Sequence, residues 1–297
     1  MHGILNLNKP AGMTSRDVVN IVQRLIRPEK TGHAGTLDPL ATGVLVCPVG
    51  HGTKLIEYVQ QLPKTYVGTF QFGKQSDTED IEGNVQTLSD PPQPTQAEIE
   101  AALPTFLGRI SQVPPAFSAL KVAGKRAYDL ARQGKTVELA AREIEVYSLT
   151  LLDYTYPELK LEIVCGSGTY VRSLGRDLAR SLGTAAVMSA LERTAIGGFR
   201  VENALNPTTD FDRETIERAM LPTVEAVQAL PQVTIGQEGI LRLSQGKLIS
   251  VEIEQSGSSS GPSEVAVVDA AGNLIAVVQP GKEGGWRSVK NFANDYL

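Results

Sequence analysis

Residues 32–49 read GHAGTLDPLATGVLVCPV, a loop of small residues that runs directly into an unbroken apolar stretch. Gly32, Gly35 and Gly43 give the loop backbone freedom, and Pro39 biases Asp38 away from helix. The apolar run at 44–49 predicts a buried strand. Upstream, 2–7 predicts another strand, ended by Lys9-Pro10 and a turn at Ala11-Gly12. Thr14 or Ser15 then caps a helix, RDVVNIVQRLI, with Val18, Val19, Val22, Leu25 and Ile26 at helical spacing and Pro28 as its stop. Downstream the order is irregular. A short helix at 53–60 precedes an alternating strand at 64–73, KTYVGTFQFG, and a polar surface excursion at 74–94. Thr95 caps a helix in EIEAALPTFLG, and FSALKVAGKRAYDLARQGK reads strand, turn, helix. Strands at 144–154 and 160–164 flank a turn at Tyr156-Pro157. A helix at 170–182 carries Arg172, Arg176 and Arg180, and a strand follows at 188–196. Helices do not alternate regularly with strands, so the expected class is α+β with a mixed, largely antiparallel sheet.

The character changes near residue 230. Beyond it the chain reads as short apolar strands broken by glycine, with no helix until the last residues. VEIEQSGSSSGPSEVAVVD predicts two strands joined by a Gly/Ser-rich tip. The expected division is 1–230 and a small β unit at 231–297, which suits a length of 297 residues.

Apolar residues make up 41% of the chain, enough for a core without disulfides or metal. Cys47 and Cys165 each sit in an apolar run, which predicts two buried thiols in a reducing compartment. No C-x-x-C or H-E-x-x-H spacing occurs, so no metal is expected. The start MHGILNLNKPAG lacks a basic flank and a long apolar core, and no 18-residue apolar run follows. A cytoplasmic protein without a membrane span is therefore expected. The net charge of −5 counts, at face value, against a nucleic-acid partner. Its distribution says otherwise. Residues 1–74 carry eight basic side chains against four acidic, and 105–142 seven against two. Residues 75–104 carry seven acidic and no basic, and 201–230 six against two.

Asp38 is the one carboxylate of the small-residue loop; a turn cap and a functional acid are equally good readings of it. No phosphate-loop lysine follows the glycines and no G-x-S-x-G elbow exists. Tyr66 alternates with Phe70 and Phe72, as a core aromatic or a ligand contact would. In GSGTYVRSL, Gly166 and Gly168 leave room at a strand-to-helix junction beside Tyr170 and Arg172. An arginine there pairs with a carboxylate or a phosphate, or makes a surface ion pair. His33 alone reads as a loop histidine and Leu191 as core.

Six blocks in order resemble the TruB family of tRNA pseudouridine synthases. They are NKPAGMTS (8–15), GHAGTLDP (32–39), KTYVG (64–68), PPAFSALKVAGKRAY (114–128), GTYVRSL (168–174) and LERTAIGGF (191–199). The last 67 residues resemble a degenerate PUA domain, a small RNA-binding β-barrel. The resemblance implies a catalytic domain of pseudouridine synthase type that isomerises uridine 55 in the tRNA T-loop. It makes Asp38 the catalytic carboxylate, paired with Arg172. Tyr66 stacks on the uracil and is a candidate for removing its C5 proton, while Tyr170 and Leu191 line the pocket. His33 enters the T-loop, and Lys9 lies near the pocket or the RNA backbone. It implies no cofactor, the T-arm of tRNA as partner, no protein partner and a monomer. The two acidic stretches are then expected away from the RNA. The rivals are an RNA-binding or tRNA-folding protein without catalysis, and a related synthase acting on another RNA.

Overall fold

Thr14 starts the first helix with a reciprocal cap. Its hydroxyl accepts from the Asp17 N–H at 3.1 Å, and the Asp17 carboxylate accepts from the Thr14 N–H at 2.9 Å. The computed structural model describes residues 1–117, 121–122, 125–126, 139–209, 211–251, 262–282 and 284–297. The helix expected within AYDLARQGK and the Gly/Ser-rich tip at 256–261 lie outside the described residues.

Strand β1 (Gly3–Lys9), helix α1 (Ser15–Ile26) and strand β2 (Thr42–Val49) come first. A 3-10 turn, Gly50–Leu55, leads through α2 (Ile56–Gln61) to β3 (Lys64–Phe72). The polar excursion holds a small hairpin, β4 (Lys74–Gln75) and β5 (Gln86–Thr87), before α3 (Gln96–Ala102) and β6 (Gly108–Gln112). A second hairpin, β7 (Lys121–Val122) and β8 (Lys125–Arg126), precedes β9 (Arg142–Thr155) and β10 (Glu158–Cys165). Then come α4 (Val171–Ser181), β11 (Ala186–Ile196), β12 (Phe199–Arg200) and α5 (Arg213–Arg218).

The large sheet runs β1-β2-β11-β3-β10-β9-β6, with β12 beside β11. Every pair in it is antiparallel except β11 with β2, which meet in parallel at Glu192↔Thr42 and Arg193↔Gly43. A Cβ on Gly43 would lie 2.2 Å from the Arg193 carbonyl oxygen, and its φ is +97°. Only glycine fits that crossing. The fold is α+β, as the irregular order of elements predicts.

Helix α1 buries Val18, Val19, Val22 and Ile26 against Leu5, Leu7, Leu45 and Cys47. Helix α4 buries Leu174 and Leu178 against Phe70 and Phe72 of β3. Each such leucine stabilises by roughly 1.5–3 kcal/mol relative to exposure. Gly175 brings this helix close: a Cβ there would stand 2.2 Å from the Phe70 ring.

The C-terminal part contains β13 (Gln232–Thr234), α6 (Gln237–Ser244), β14 (Val265–Val268), β15 (Leu274–Pro280) and β16 (Trp286–Asn291). Its sheet runs β13-β14-β15-β16, with β13 parallel to β14 and an extra bridge between Ile249 and Trp286. Helix α6 corrects the expectation that no helix precedes the last residues. It is only eight residues long and includes Gly239, so its buried stripe reduces to Ile240 and Leu243. Ala266, Leu274, Val277 and Phe292 pack with Ile4, Val44, Val46 and Leu55 in one cluster. Polar ties reinforce that contact: His51 Nδ1 meets Asp295 Oδ2 at 2.7 Å, and Lys290 meets Glu57 at 2.6 Å. Among the described residues, no helix is long and apolar enough to cross a membrane.

Candidate functional site

The loop between α1 and β2 places Asp38 by fixing both of its neighbours. Ser15 Oγ accepts from the Leu37 N–H at 2.8 Å and lies 3.2 Å from the Leu37 carbonyl. On the other side, the Pro39 carbonyl accepts from the Gly12 N–H at 2.8 Å and from Lys9 Nζ at 3.2 Å. Lys9 also donates to the carbonyls of Pro10 and Met13, at 2.8 and 2.6 Å. It is fully buried, and burial lowers its pKa to about 8. Lys9 anchors the Asp38 loop from beneath.

Asp38 stands at the mouth of a cleft of about 400 Å³ that also includes Tyr66, Tyr170, Arg172 and Leu191. Five of the seven expected residues thus meet there. His33 and Lys9 are not among the lining residues. His33 is half-buried in the same loop, and its Nδ1 has no hydrogen-bond partner. Burial, then the charge of Arg193, pull its pKa down, so the ring is neutral at pH 7.

Arg172 lies in the first turn of α4, 6% exposed. Its Nη2 meets Asp38 Oδ2 at 2.9 Å and its Nη1 meets Asp80 Oδ2 at 3.2 Å. It donates further to the carbonyls of Thr78 at 2.7 Å and Phe117 at 3.1 Å. The acidic excursion thus touches the site through Asp80, although none of its residues lines the cleft. The hairpin folds back because α4 presents a cationic row to it. Glu79 pairs with Arg176 and accepts from Ser173 Oγ at 2.7 Å, which holds Glu79 at a φ of 64°. Asp80 is 3% exposed, and Glu82 is close enough that burial, Asp80 and Asp38 together raise its pKa.

Tyr170 precedes α4 and is held by a buried amide: Gln112 Oε1 accepts from its N–H at 2.9 Å, and Gln112 Nε2 donates to its carbonyl at 3.1 Å. The floor of the cleft comes from β3 and β11. Tyr66 pairs in register with Arg193, and Leu191 with Gly68. Arg193 donates from Nε to the Val44 carbonyl at 2.7 Å and from Nη2 to the Gly35 carbonyl at 3.1 Å. Its guanidinium carbon stands 6.0 Å from the Tyr66 ring centre. Burial raises the Tyr66 phenol's pKa, and Arg193 opposes that rise. Lys64, also in the cleft, donates to the Gln60 carbonyl, and burial lowers its pKa to about 8.

Asp80, Lys64 and Arg193 are residues in or beside the cleft that sequence reasoning missed. For two of them a signal existed. Lys64 stands two residues before Tyr66 and Arg193 two after Leu191, so each shares a strand face with an expected site residue. Asp80 had none, because its partner lies 92 positions further along the chain.

Residues 23–171 match the profile described as TruB family pseudouridylate synthase (N terminal domain). The tRNA pseudouridine synthase B of Dehalococcoides mccartyi is 40% identical over 296 residues, covering 98% of this chain and 97% of that one. The enzyme of the same name from a Nostoc species is 41% identical over 263 residues, covering 86% and 89%. Among solved structures, the crystal structure of a Cbf5-Nop10-Gar1 complex matches with a TM-score of 0.72 at 26% identity. That match covers 94% of this chain and 78% of the other.

Proposed function

The chain belongs to the TruB family of tRNA pseudouridine synthases, and from that premise we propose that it converts uridine 55 of the tRNA T-loop to pseudouridine, with Asp38 as the catalytic carboxylate. The contact of Asp38 with Arg172 at the mouth of an aromatic-lined cleft carries this reading. Pseudouridine formation breaks the N1–C1′ bond, turns the uracil and rejoins it through C5, with no redox change. A uridine in a folded loop must leave its stack first, at a cost of about a few kcal/mol. Tyr66, Tyr170 and Leu191 offer faces to hold the extruded base, and His33 is placed in the loop that would fill the vacated space. Asp38 then acts at the ribose or the base, its direction set by Leu37 and Pro39 on either side. A half-enclosed cleft keeps water from C1′.

Residues 1–230 form the catalytic domain in this reading, and 231–297 a PUA-like unit that contacts the T-arm. The mixed four-stranded sheet and the docked helix α6 support the second assignment. In this reading the protein acts as a monomer without a protein partner, in the cytoplasm.

An unmodified tRNA transcript incubated with the protein, followed by chemical mapping of pseudouridine, tests the proposal. Modification confined to the T-loop uridine is expected. Tight binding without modification would instead favour a tRNA-folding protein, and modification of a different RNA a related synthase.

A further inference from the structure

Among the described residues, two cations in the cleft have no carboxylate paired with them. Lys64 is 5% exposed and Arg193 1% exposed. Among the described residues neither makes an ion pair; they donate to the carbonyls of Gln60, Val44 and Gly35, and Arg193 also bonds the Tyr66 phenol. Arg172, by contrast, is already shared between Asp38 and Asp80. Burying a charge without a counter-charge costs several kcal/mol, so two of them in one cleft leave a strongly anion-favouring floor. That floor lies beneath Tyr66, in register with Arg193 and two residues from Lys64. Both are buried and line the cleft, where an extruded base would meet them rather than a backbone phosphate.

We propose that Lys64 and Arg193 are catalytic residues that hold the detached uracil as an anion while it turns. The inference rests on the isomerisation proposed above. When the N1–C1′ bond breaks, its electron pair leaves on N1 and the uracil becomes a monoanion. The positive charge left on the sugar is met by the Asp38 carboxylate, by bonding or by accepting a proton. Bond formation between C5 and C1′ then uses an electron pair of the ring. The C5 proton departs and N1 gains one, so the sum is an isomerisation with no co-reactant. Until C5 bonds, the negative charge needs fixed positive partners in a site with little water. The groups facing Lys64 are Arg193 from β11, the Cys165 thiol from β10, the Gln60 carbonyl from α2 and Tyr66 on its own strand. The thiol is neutral, its pKa pushed up to about 11. Burial and Arg193 together bring Lys64 down to about 8, so its charge is present at neutral pH and lost above it.

Single-turnover kinetics on a tRNA transcript, from pH 6 to pH 10, test the inference. Lys64→Met should slow isomerisation by about a hundredfold or more with tRNA affinity unchanged, and Lys64→Arg should retain most of the rate. The wild-type rate should fall on an alkaline limb near pH 8, and that limb should move upward in Lys64→Arg, whose charge does not titrate there. A Lys64→Met rate within about threefold of wild type, or the same limb in Lys64→Arg, would overturn the role. If Lys64→Met does not fold, the limb in Lys64→Arg decides alone. Failure of the wild-type protein to make pseudouridine would sink the function itself, and so is distinct from either result.

Discussion

At the scale of single residues, the site works by holding short side chains from behind. Asp38 is 40% exposed, yet its neighbours on both sides are tied to α1 and β1. Asp38→Asn should keep tRNA affinity while cutting single-turnover isomerisation by about a thousandfold or more. Appreciable product from that variant would remove Asp38 from its role. Ser15→Ala should leave the buried Leu37 N–H without an acceptor and destabilise by about 1–3 kcal/mol in denaturant unfolding. Lys9 makes a prediction about pH. Its pKa is about 8 in the fold against 10.5 ordinarily. Below pH 8 the lysine is protonated in both states and its burial cost is fully present. Between 8 and 10.5 the unfolded chain holds more protons, so stability rises with pH across that window. Lys9→Met should reduce the slope of that part of a stability-versus-pH curve, leaving the share that Lys64 contributes over the same window. The sequence made the motif around Lys9 visible, but its role depends on three carbonyls converging on one ammonium, which no local pattern encodes.

At the scale of elements, patterns with a period were legible and long-range pairings were not. Alternation located β3 and heptad-like spacing located α1, because one buried face dictates each. The capping residues Thr14 and Thr95 mark their helices through bonds spanning three residues. The acidic hairpin read as solvated surface because its charges are satisfied by α4, far along the chain. Helix α6 was missed because eight residues around a glycine carry too few apolar positions. Contact between elements is equally specific. Gly175→Ala should push α4 off the Phe70 ring, at about 1–3 kcal/mol by thermal or chemical unfolding. Because α4 carries Arg172, turnover should fall with it, whereas an unchanged melting temperature would mean that β3 yields instead.

At the scale of the whole molecule, the two sheets do not part cleanly. Ala266, Leu274, Val277 and Phe292 share a buried cluster with Ile4, Val44 and Leu55. Removing residues 231–297 should therefore lower the melting temperature of the remainder as well as its affinity for tRNA. A truncated chain that melts like the full protein would show that this cluster contributes little. Net charge misleads at this scale too: the acid of residues 75–104 is partly consumed by Arg172 and Arg176 at the site.

The parallel crossing of β11 beside β2 has a consequence for biosynthesis. Arg193 bonds to Val44 across 149 positions and also holds the Gly35 carbonyl. While the ribosome is still making the middle of the chain, the segment that carries Asp38 lacks the strand that walls it. Closing so long a loop is entropically slow, and such topologies form late. A nascent chain therefore acquires its cleft only after residue 193 has left the exit tunnel. Stalled chains released before that point should protect residues 32–49 poorly from protease, and chains stalled beyond it should protect them well.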